Sequence, residues 1–267
     1  MGNQSTVALK TELFYFTGTG NSLYIARKIN EALTHPGELL PIAIYINSTT
    51  VYCDAVVVGI IFPIHMGSAP NIVKEFVTKL KIRKTPYVFA VATYNSHVMN
   101  SMALLSEIMR TNSIDLALGE TVNMPGNAKK SSSEDNENRL KASRQRVIDI
   151  VNKVNSRIIE PQEISPKIIK KVTTGKIKSP MLPTNFKASP SCNGCGTCQK
   201  ICPMANINMA DNKPVWGNNC ATCLACFHWC PRKSVKWGLP IIGNRPQYHH
   251  PEIKVTDISK QQLTFRY

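Results

Sequence analysis

"FTGTGNS" at residues 16–22 decides how the amino-terminal half of the chain is interpreted. The stretch follows the β-prone run "ELFYF" (12–16) and precedes residues 20–34, whose apolar side chains recur at helical spacing. A glycine-rich turn between a strand and a helix directs backbone N–H groups toward the helix N-terminus, where anions bind. Such turns are also common wherever a chain must bend tightly. The stretch therefore predicts either a phosphate cradle or a plain polar turn.

Strands and helices alternate around this turn. Further strand-like runs lie at 39–45, 54–62, 87–93 and 115–124, and helix-like runs begin near Ser68 to Pro70 and cover 98–110 and 134–160. This alternation implies right-handed crossovers and a parallel sheet. The sequence therefore predicts an α/β fold with a doubly wound, five-stranded parallel sheet that the helix over 134–160 covers.

The charge and composition narrow the possible partners. The chain has 267 residues and a formal net charge of +15, which favours nucleic acid, an anionic membrane or an acidic protein. We interpret the basic helix over 134–160 as a solvated amphipathic helix and expect no nucleic-acid partner. No apolar stretch approaches the roughly 18 residues of a membrane span, and the N-terminus lacks a secretory signal. We therefore expect a cytoplasmic protein with no transmembrane segment, although Gly2 with Thr6 matches the short N-myristoylation pattern.

Eight of the nine cysteines form two runs, "CNGCGTCQKICP" (192–203) and "CATCLACFHWCP" (220–231). Each run reads C-x-x-C-x-x-C-x-x-x-C-P. Two-residue gaps let three successive thiolates surround one iron–sulfur cubane, and in a dicluster arrangement the fourth cysteine reaches the other cluster. Zinc also binds C-x-x-C pairs, but zinc sites leave the third cysteines and both Cys-Pro pairs unexplained. Disulfides are disfavoured in a reducing compartment.

The two runs therefore predict two [4Fe-4S] clusters. The predicted ligands are Cys192, Cys195 and Cys198 with Cys230 for one cluster, and Cys220, Cys223 and Cys226 with Cys202 for the other. Residues 190–233, including the hairpin "INMADNKPVWGNN" between the runs, resemble bacterial-type dicluster ferredoxins. The resemblance implies a small α+β ferredoxin domain that transfers one electron at a time at low potential. The ninth cysteine, Cys53, is interpreted as a small buried hydrophobe.

The letters of the first turn exclude two kinds of nucleotide site. A P-loop would end in Gly-Lys-Ser/Thr, and a dinucleotide fingerprint would have glycine at Leu23. "TGTGNS" instead resembles the FMN phosphate loop of flavodoxins. The loops "FPIHMGSAP" (62–70) and "NMPGN" (123–127) resemble those of flavodoxin-like domains fused to ferredoxins. In "TYNSH" (93–97), Asn and Ser replace the usual glycines, which matters if those glycines have φ > 0.

The resemblance implies an FMN site at the carboxyl ends of the strands. The residues that match it are Thr17, Gly18, Thr19, Gly20, Asn21, Ser22, Pro63, Ile64, His65, Met66, Gly67, Thr93, Tyr94 and Asn95. His65 could equally be an exposed loop histidine.

The resemblance to fused flavodoxin/ferredoxin proteins covers nearly the whole chain. It implies a flavodoxin-like FMN domain at 1–160, a linker at 161–189, a ferredoxin domain at 190–233 and a tail at 234–267. The implied function is electron transfer between FMN and two [4Fe-4S] clusters, in exchange with a redox protein partner that the positive charge predicts to be acidic. Two alternatives stay open: an FMN-dependent reductase of a quinone, nitro compound or oxygen, and a ferredoxin with a flavin-free docking domain.

Overall fold

A computed structural model describes residues 10–83, 86–127, 131–173, 185–238 and 246–262. Gly2, with its N-myristoylation pattern, lies outside the described residues. Among the described helices, none combines the length and apolar character that crossing a membrane requires.

A five-stranded parallel sheet forms the centre of residues 10–173, which we call the sheet region. Its strands are β1 (Thr11–Tyr15), β2 (Glu38–Pro41), β4 (Val57–Pro63), β6 (Tyr87–Tyr94) and β7 (Leu118–Asn123). They lie in the order β2-β1-β4-β6-β7 and pair in parallel throughout. Numbered along the chain, these five strands have the order 2-1-3-4-5, which is that of the flavodoxin-like fold. The predicted five-stranded α/β sheet is therefore confirmed.

Helices cover both faces of this sheet. They are α1 (Asn21–Ala32), α2 (Asn71–Lys79), α3 (Ser101–Arg110) and α4 (Ser133–Asn155). Helix α1 packs against α4, and α2 packs against α3. Strand β4 is almost wholly buried because it is covered on both sides, which explains its continuous run of apolar residues.

Three details of the sheet region differ from the predicted elements. The strand predicted at 39–45 ends at Pro41, and Ile42–Tyr45 forms a 3₁₀ turn, because proline has no N–H to continue a ladder. Two short strands, β3 (Val51–Cys53) and β5 (Leu80–Ile82), pair in parallel outside the main sheet. Helix α5 (Pro166–Thr173) lies within the segment predicted as a linker and packs against α3.

Residues 185–238, the cysteine region, contain one structural unit twice. The first unit is β8 (Phe186–Ala188), α6 (Thr197–Lys200) and β9 (Ile207–Ala210); the second is β10 (Lys213–Trp216), α7 (Ala225–His228) and β11 (Val235–Trp237). The strands exchange between units, because β8 pairs with β11 and β9 pairs with β10, both antiparallel. After this region, the tail forms the short helix α8 (Val255–Ser259).

The backbone also repeats between the two cysteine runs, 28 positions apart. Three pairs of equivalent residues have positive φ: Gly194 (72°) and Thr222 (52°), Gly196 (71°) and Leu224 (60°), and Ala205 (47°) and Lys233 (50°). The two runs therefore follow the same path even where the first has glycine and the second has a side chain that makes this conformation costly.

Candidate functional site

A polar cavity of about 400 Å³ lies at the carboxyl ends of the strands. Its lining residues are Thr17, Gly18, Thr19, Asn21, Ser22, Pro63, Ile64, Thr93, Tyr94, Asn95, Met124, Pro125, Gly126 and Asn127. The structure thus brings together ten of the fourteen residues that matched the flavin site, and adds four from the loop after β7. Gly20, His65, Met66 and Gly67 do not line this cavity. Ligands of open α/β sheets bind at this edge.

The turn from Thr17 to Ser22 is held by its own side chains. The Gly20 amide donates to Thr17 Oγ1 at 3.1 Å, and Gly20 has φ = 95°, which glycine adopts without strain. Ser22 Oγ and Thr93 Oγ1 lie 2.8 Å apart and share a hydrogen bond. Asn21 Nδ2 donates to the Pro125 carbonyl at 2.8 Å. These contacts fix the turn against the end of β6 and the loop after β7.

Four backbone N–H groups of this turn have no protein partner. Within the described residues, the amides of Gly18, Thr19, Asn21 and Ser22 donate no hydrogen bond, although all four residues line the polar cavity. Unpaired amides at the N-terminus of a long helix favour a bound anion, because the helix dipole adds positive potential there. The turn is therefore prepared for a phosphate or carboxylate.

The loop after β6 has no backbone strain at Asn95 and Ser96, where side chains replace the usual glycines. Neither Asn95 nor Ser96 has positive φ; in this loop the left-handed residue is Met99, with φ = 47°. In the amide orientation that satisfies its neighbours, Asn95 Oδ1 accepts from the Gly126 amide at 3.1 Å and from Arg139 at 3.0 Å. The polar side chain at Asn95 therefore connects two loops of the cavity.

A tight turn beside the cavity contains the three remaining residues of the loop after β4. His65 and Ser68 exchange backbone hydrogen bonds, and Met66 and Gly67 between them have φ of 49° and 75°. Both ring nitrogens of His65 are buried and have no hydrogen-bond partner among the residues that the structure describes, and burial lowers the pKa of His65 to about 4. His65 is therefore neutral near pH 7 and is not the exposed histidine of the second interpretation.

The carboxy-terminal tail covers the turn from the other side. The Gln261 side chain both accepts from the Thr17 amide and donates to the Thr17 carbonyl, at 3.1 Å each. The His250 amide donates to the Thr19 carbonyl at 2.8 Å. The Tyr248 hydroxyl donates to Asn21 Oδ1 at 2.7 Å. These three residues could not be predicted from the sequence, because they lie more than two hundred positions from the turn in a stretch without a motif.

Four cysteines from both runs surround each of two further cavities. The first cysteine cavity, of about 310 Å³, is lined by Cys192, Cys195, Cys198 and Cys230. The second cysteine cavity, of about 330 Å³, is lined by Cys202, Cys220, Cys223 and Cys226. The structure therefore groups three cysteines of one run with the fourth of the other in both cases. All nine cysteines are free, and Cys53 is buried in the sheet region.

Hydrogen bonds and burial set the state of these thiols. The amide four residues after each fourth cysteine points at its sulfur, from Asn206 to Cys202 and from Ser234 to Cys230, at 3.3 Å each. Burial raises the pKa of the Cys198 thiol to about 11. The hydroxyl of Thr197 instead lowers the pKa of the exposed Cys195.

The second cysteine cavity and the polar cavity share a wall. A Cβ added to Gly18 would lie 2.1 Å from the Cys223 carbonyl oxygen, so only glycine fits between them. Trp229 Nε1 donates to the Gly18 carbonyl at 3.0 Å. His228 Nδ1 accepts from the Tyr248 amide at 2.9 Å, so its proton is on Nε2, which donates to the Asn127 carbonyl at 2.8 Å.

The thiols surround space rather than converge on a point. Among the residues that the structure describes, no three His, Cys, Asp or Glu side chains form a group that could hold a single metal ion.

Comparison with solved structures finds matches to about half of the chain, at low sequence identity and low TM-score. No protein-family model matches the chain, and no curated protein matches it in sequence. A Bacteroides uniformis protein described as a flavoprotein is 20% identical, with a TM-score of 0.35, over 49% of this chain and 97% of that one. A Megasphaera elsdenii flavodoxin is 18% identical, with a TM-score of 0.32, over 51% and 98%. An FMN-dependent NADH-azoreductase from Bacillus anthracis is 11% identical, with a TM-score of 0.40, over 55% and 99%.

Proposed function

We propose that the chain is an electron-transfer protein that binds FMN in the polar cavity and one [4Fe-4S] cluster in each cysteine cavity. The observation that carries this proposal is the shared wall at Gly18, which separates a four-thiol cavity from an anion cradle by the thickness of a glycine backbone. Electrons would pass across this wall between flavin and cluster, and from one cysteine cavity to the other.

The polar cavity fits FMN because its donors are unpaired. The amides of Gly18, Thr19, Asn21 and Ser22 would hold the phosphate, and the hydroxyls of the same turn would complete the cradle. Pro63 and Ile64 add apolar side chains to the lining of the cavity, which suits a flavin ring. Flavin supplies the ability to take up two electrons and release them singly.

The cysteine cavities fit iron–sulfur clusters because of their ligands. Each cavity has four thiols and no other charged metal ligand in its lining, which is the donor set of a [4Fe-4S] cluster. Backbone N–H groups point at the sulfurs of Cys202 and Cys230, as they do toward thiolates. Burial raises the pKa of Cys223 and Cys226, so these thiols need nearby positive charge to ionise, and iron would supply it.

The cofactor content of the protein purified without oxygen tests this function. We expect about eight iron and eight sulfide per chain, as two cubanes require, together with stoichiometric FMN. Clusters without flavin, even after FMN is added, would instead identify a ferredoxin with a flavin-free docking domain. Zinc in place of iron would overturn the cluster assignment.

Turnover with small acceptors separates the carrier from the reductase. We expect the reduced protein to pass electrons only slowly to quinones and nitro compounds, as a carrier that serves a protein partner would. Rapid saturable turnover with one such acceptor would favour the reductase alternative.

A further inference from the structure

The cysteine region has a one-sided charge. It contains six cations and one anion: Lys187, Lys200, Lys213, Arg232, Lys233 and Lys236 against Asp211. All six cationic side chains are exposed. Within the described part of the chain, none of them forms an ion pair, although ten other ion pairs are present. Among the described residues, no carboxylate pairs with these six cations, so the exposed side chains of this region are predominantly basic.

These cations border the first cysteine cavity. Arg232 lines the cavity directly, and Lys213 Nζ donates to the Cys192 carbonyl at 2.7 Å. Lys200 ends the helix that begins two residues after Cys195, the exposed thiol of the group. Lys233 lies between Arg232 and Ser234, which both line the cavity. The first cysteine cavity thus approaches the surface inside a basic rim, which we define as Lys200, Lys213, Arg232 and Lys233.

The second cysteine cavity has the opposite environment. Besides the four cysteines, its lining contains no ionisable side chain. Apolar side chains such as Phe186, Met204 and Trp216 lie between the cysteines. Cys202, Cys223 and Cys226 are buried, and Cys223 abuts Gly18 of the sheet region. This cavity faces the interior, toward the polar cavity.

Two further cations of the cysteine region, outside the basic rim, lie where their mutual repulsion destabilises the free protein. Lys187 and Lys236 stand directly opposite each other across the β8 and β11 pair. Like charges in this position destabilise a sheet. An anionic surface placed against the pair would relieve that repulsion.

We propose that the basic rim is the docking surface for an acidic redox protein, and that electrons enter or leave through the first cysteine cavity. This inference rests on the proposed function for its electron path, whereas the docking itself depends only on the rim. In the entering direction, the partner's reduced centre would lose one electron to a cluster held by Cys192, Cys195, Cys198 and Cys230. The electron would then pass to the second cavity and onward to the flavin. No bond forms or breaks, and no proton moves, in the step between the two proteins.

Binding of an acidic plant-type [2Fe-2S] ferredoxin, used as a probe, tests the docking surface. The test variant is Lys200→Glu with Lys233→Glu, because neither side chain lines a cavity. We expect at least about a tenfold weaker association at low salt, mostly through a slower on-rate, and a smaller dependence on salt. The control variant is Lys81→Glu with Lys167→Glu. These two lysines are exposed on β5 and α5, and replacing them changes the net charge by the same amount. The control should bind the probe nearly as the parent does.

Unchanged probe binding in the test variant would overturn the proposal, and so would three other results. The first is equal weakening in both variants, which would indicate a response to net charge alone. The second is equal binding of a basic cytochrome. The third is stronger binding of a DNA duplex or of anionic vesicles, lost in the same variant, which would identify a surface for polyanions or membranes. Iron, sulfide and flavin are measured in the same preparations, so failure of the proposed function appears as missing cofactors, whereas failure of the docking surface appears as unchanged probe binding.

Discussion

The two cysteine runs have the same spacing and the same backbone path, yet the cavities they build differ in every surrounding feature. The first cysteine cavity has an exposed thiol and a cationic rim, whereas the second is buried, uncharged in its lining and pressed against Gly18. The spacing of the cysteines therefore determines what each run can bind. The contacts of the run with the rest of the chain determine what each site can exchange electrons with.

The crossing of the fourth cysteines gives the largest expected effect. Cys202→Ala should remove the cluster of the second cavity and leave the first, and Cys230→Ala should do the reverse. Each variant should lose about four of eight irons. Electron paramagnetic resonance of the reduced protein distinguishes the two remaining signals. If Cys202→Ala instead spares the cluster held by Cys220, Cys223 and Cys226, the crossed grouping is incorrect.

The wall at Gly18 gives the next largest effect. In Gly18→Ala, the added methyl group would meet the Cys223 carbonyl at 2.1 Å, so the cysteine region must move away from the turn. We expect a loss of about 3 kcal/mol or more in unfolding free energy, as for severe overpacking, and weaker FMN binding. Gly196→Ala is the matched control, because no atom lies within 4 Å of its Cβ position and only its φ of 71° opposes the change, at about 1 kcal/mol. Equal effects in chemical denaturation would show that the wall is not tightly packed.

Acid should loosen the covered side of the molecule. Burial lowers the pKa of His250 to about 4. This residue lies in the tail, two positions after Tyr248, and its ring stacks on the ring of Tyr24 with 3.9 Å between the ring centroids. Between about pH 6.5 and pH 4 the unfolded chain binds more protons than the folded one, so stability falls as the pH falls through this window, by up to about 3 kcal/mol for this group. His250→Phe keeps the stacked ring and should reduce the pH dependence of unfolding measured by denaturant titration, while His65, whose pKa burial also lowers to about 4, keeps its own contribution. An unchanged slope would mean that His250 does not titrate as a buried group.

Backbone strain in the second run gives the smallest effect. Thr222 has φ = 52°, where the equivalent residue of the first run is Gly194. Thr222→Gly should relieve this strain and stabilise the protein by about 1 kcal/mol, less the added entropy of the unfolded chain. The reverse change, Gly194→Thr, should destabilise it, because a Cβ there meets the Asn212 carbonyl at 2.8 Å. A shift of the thermal midpoint in the opposite direction for Thr222→Gly would contradict the assigned strain.

Local patterns in the sequence predicted the fold of the sheet region and the residue types of the candidate sites. Alternating apolar runs predicted the five-stranded sheet, and the letters of 16–22 predicted a turn that in the structure lines the polar cavity. Helix α5 escaped prediction because eight residues are too few for a clear period. The strain suggested at Asn95 is absent because the loop takes its left-handed residue at Met99.

Long-range contacts could not be predicted in the same way. The hydrogen bond from Trp229 to Gly18 spans 211 positions, and that from Gln261 to Thr17 spans 244. Trp229 stands at an unspecified position of the second cysteine run and Gln261 belongs to no motif, so each contact is determined by how the cysteine region and tail pack on the sheet region. The shared wall, on which the proposed electron path depends, is a property of the folded chain alone.

Diffraction from anaerobically grown crystals, recorded on both sides of the iron absorption edge, tests the central claim most directly. We expect two four-iron groups, one among Cys192, Cys195, Cys198 and Cys230 and one among Cys202, Cys220, Cys223 and Cys226. We also expect planar density in the polar cavity, with a phosphate at the amides of Gly18 and Thr19. Single-atom peaks at the zinc edge, or cysteine cavities without iron beside an intact fold, would contradict it.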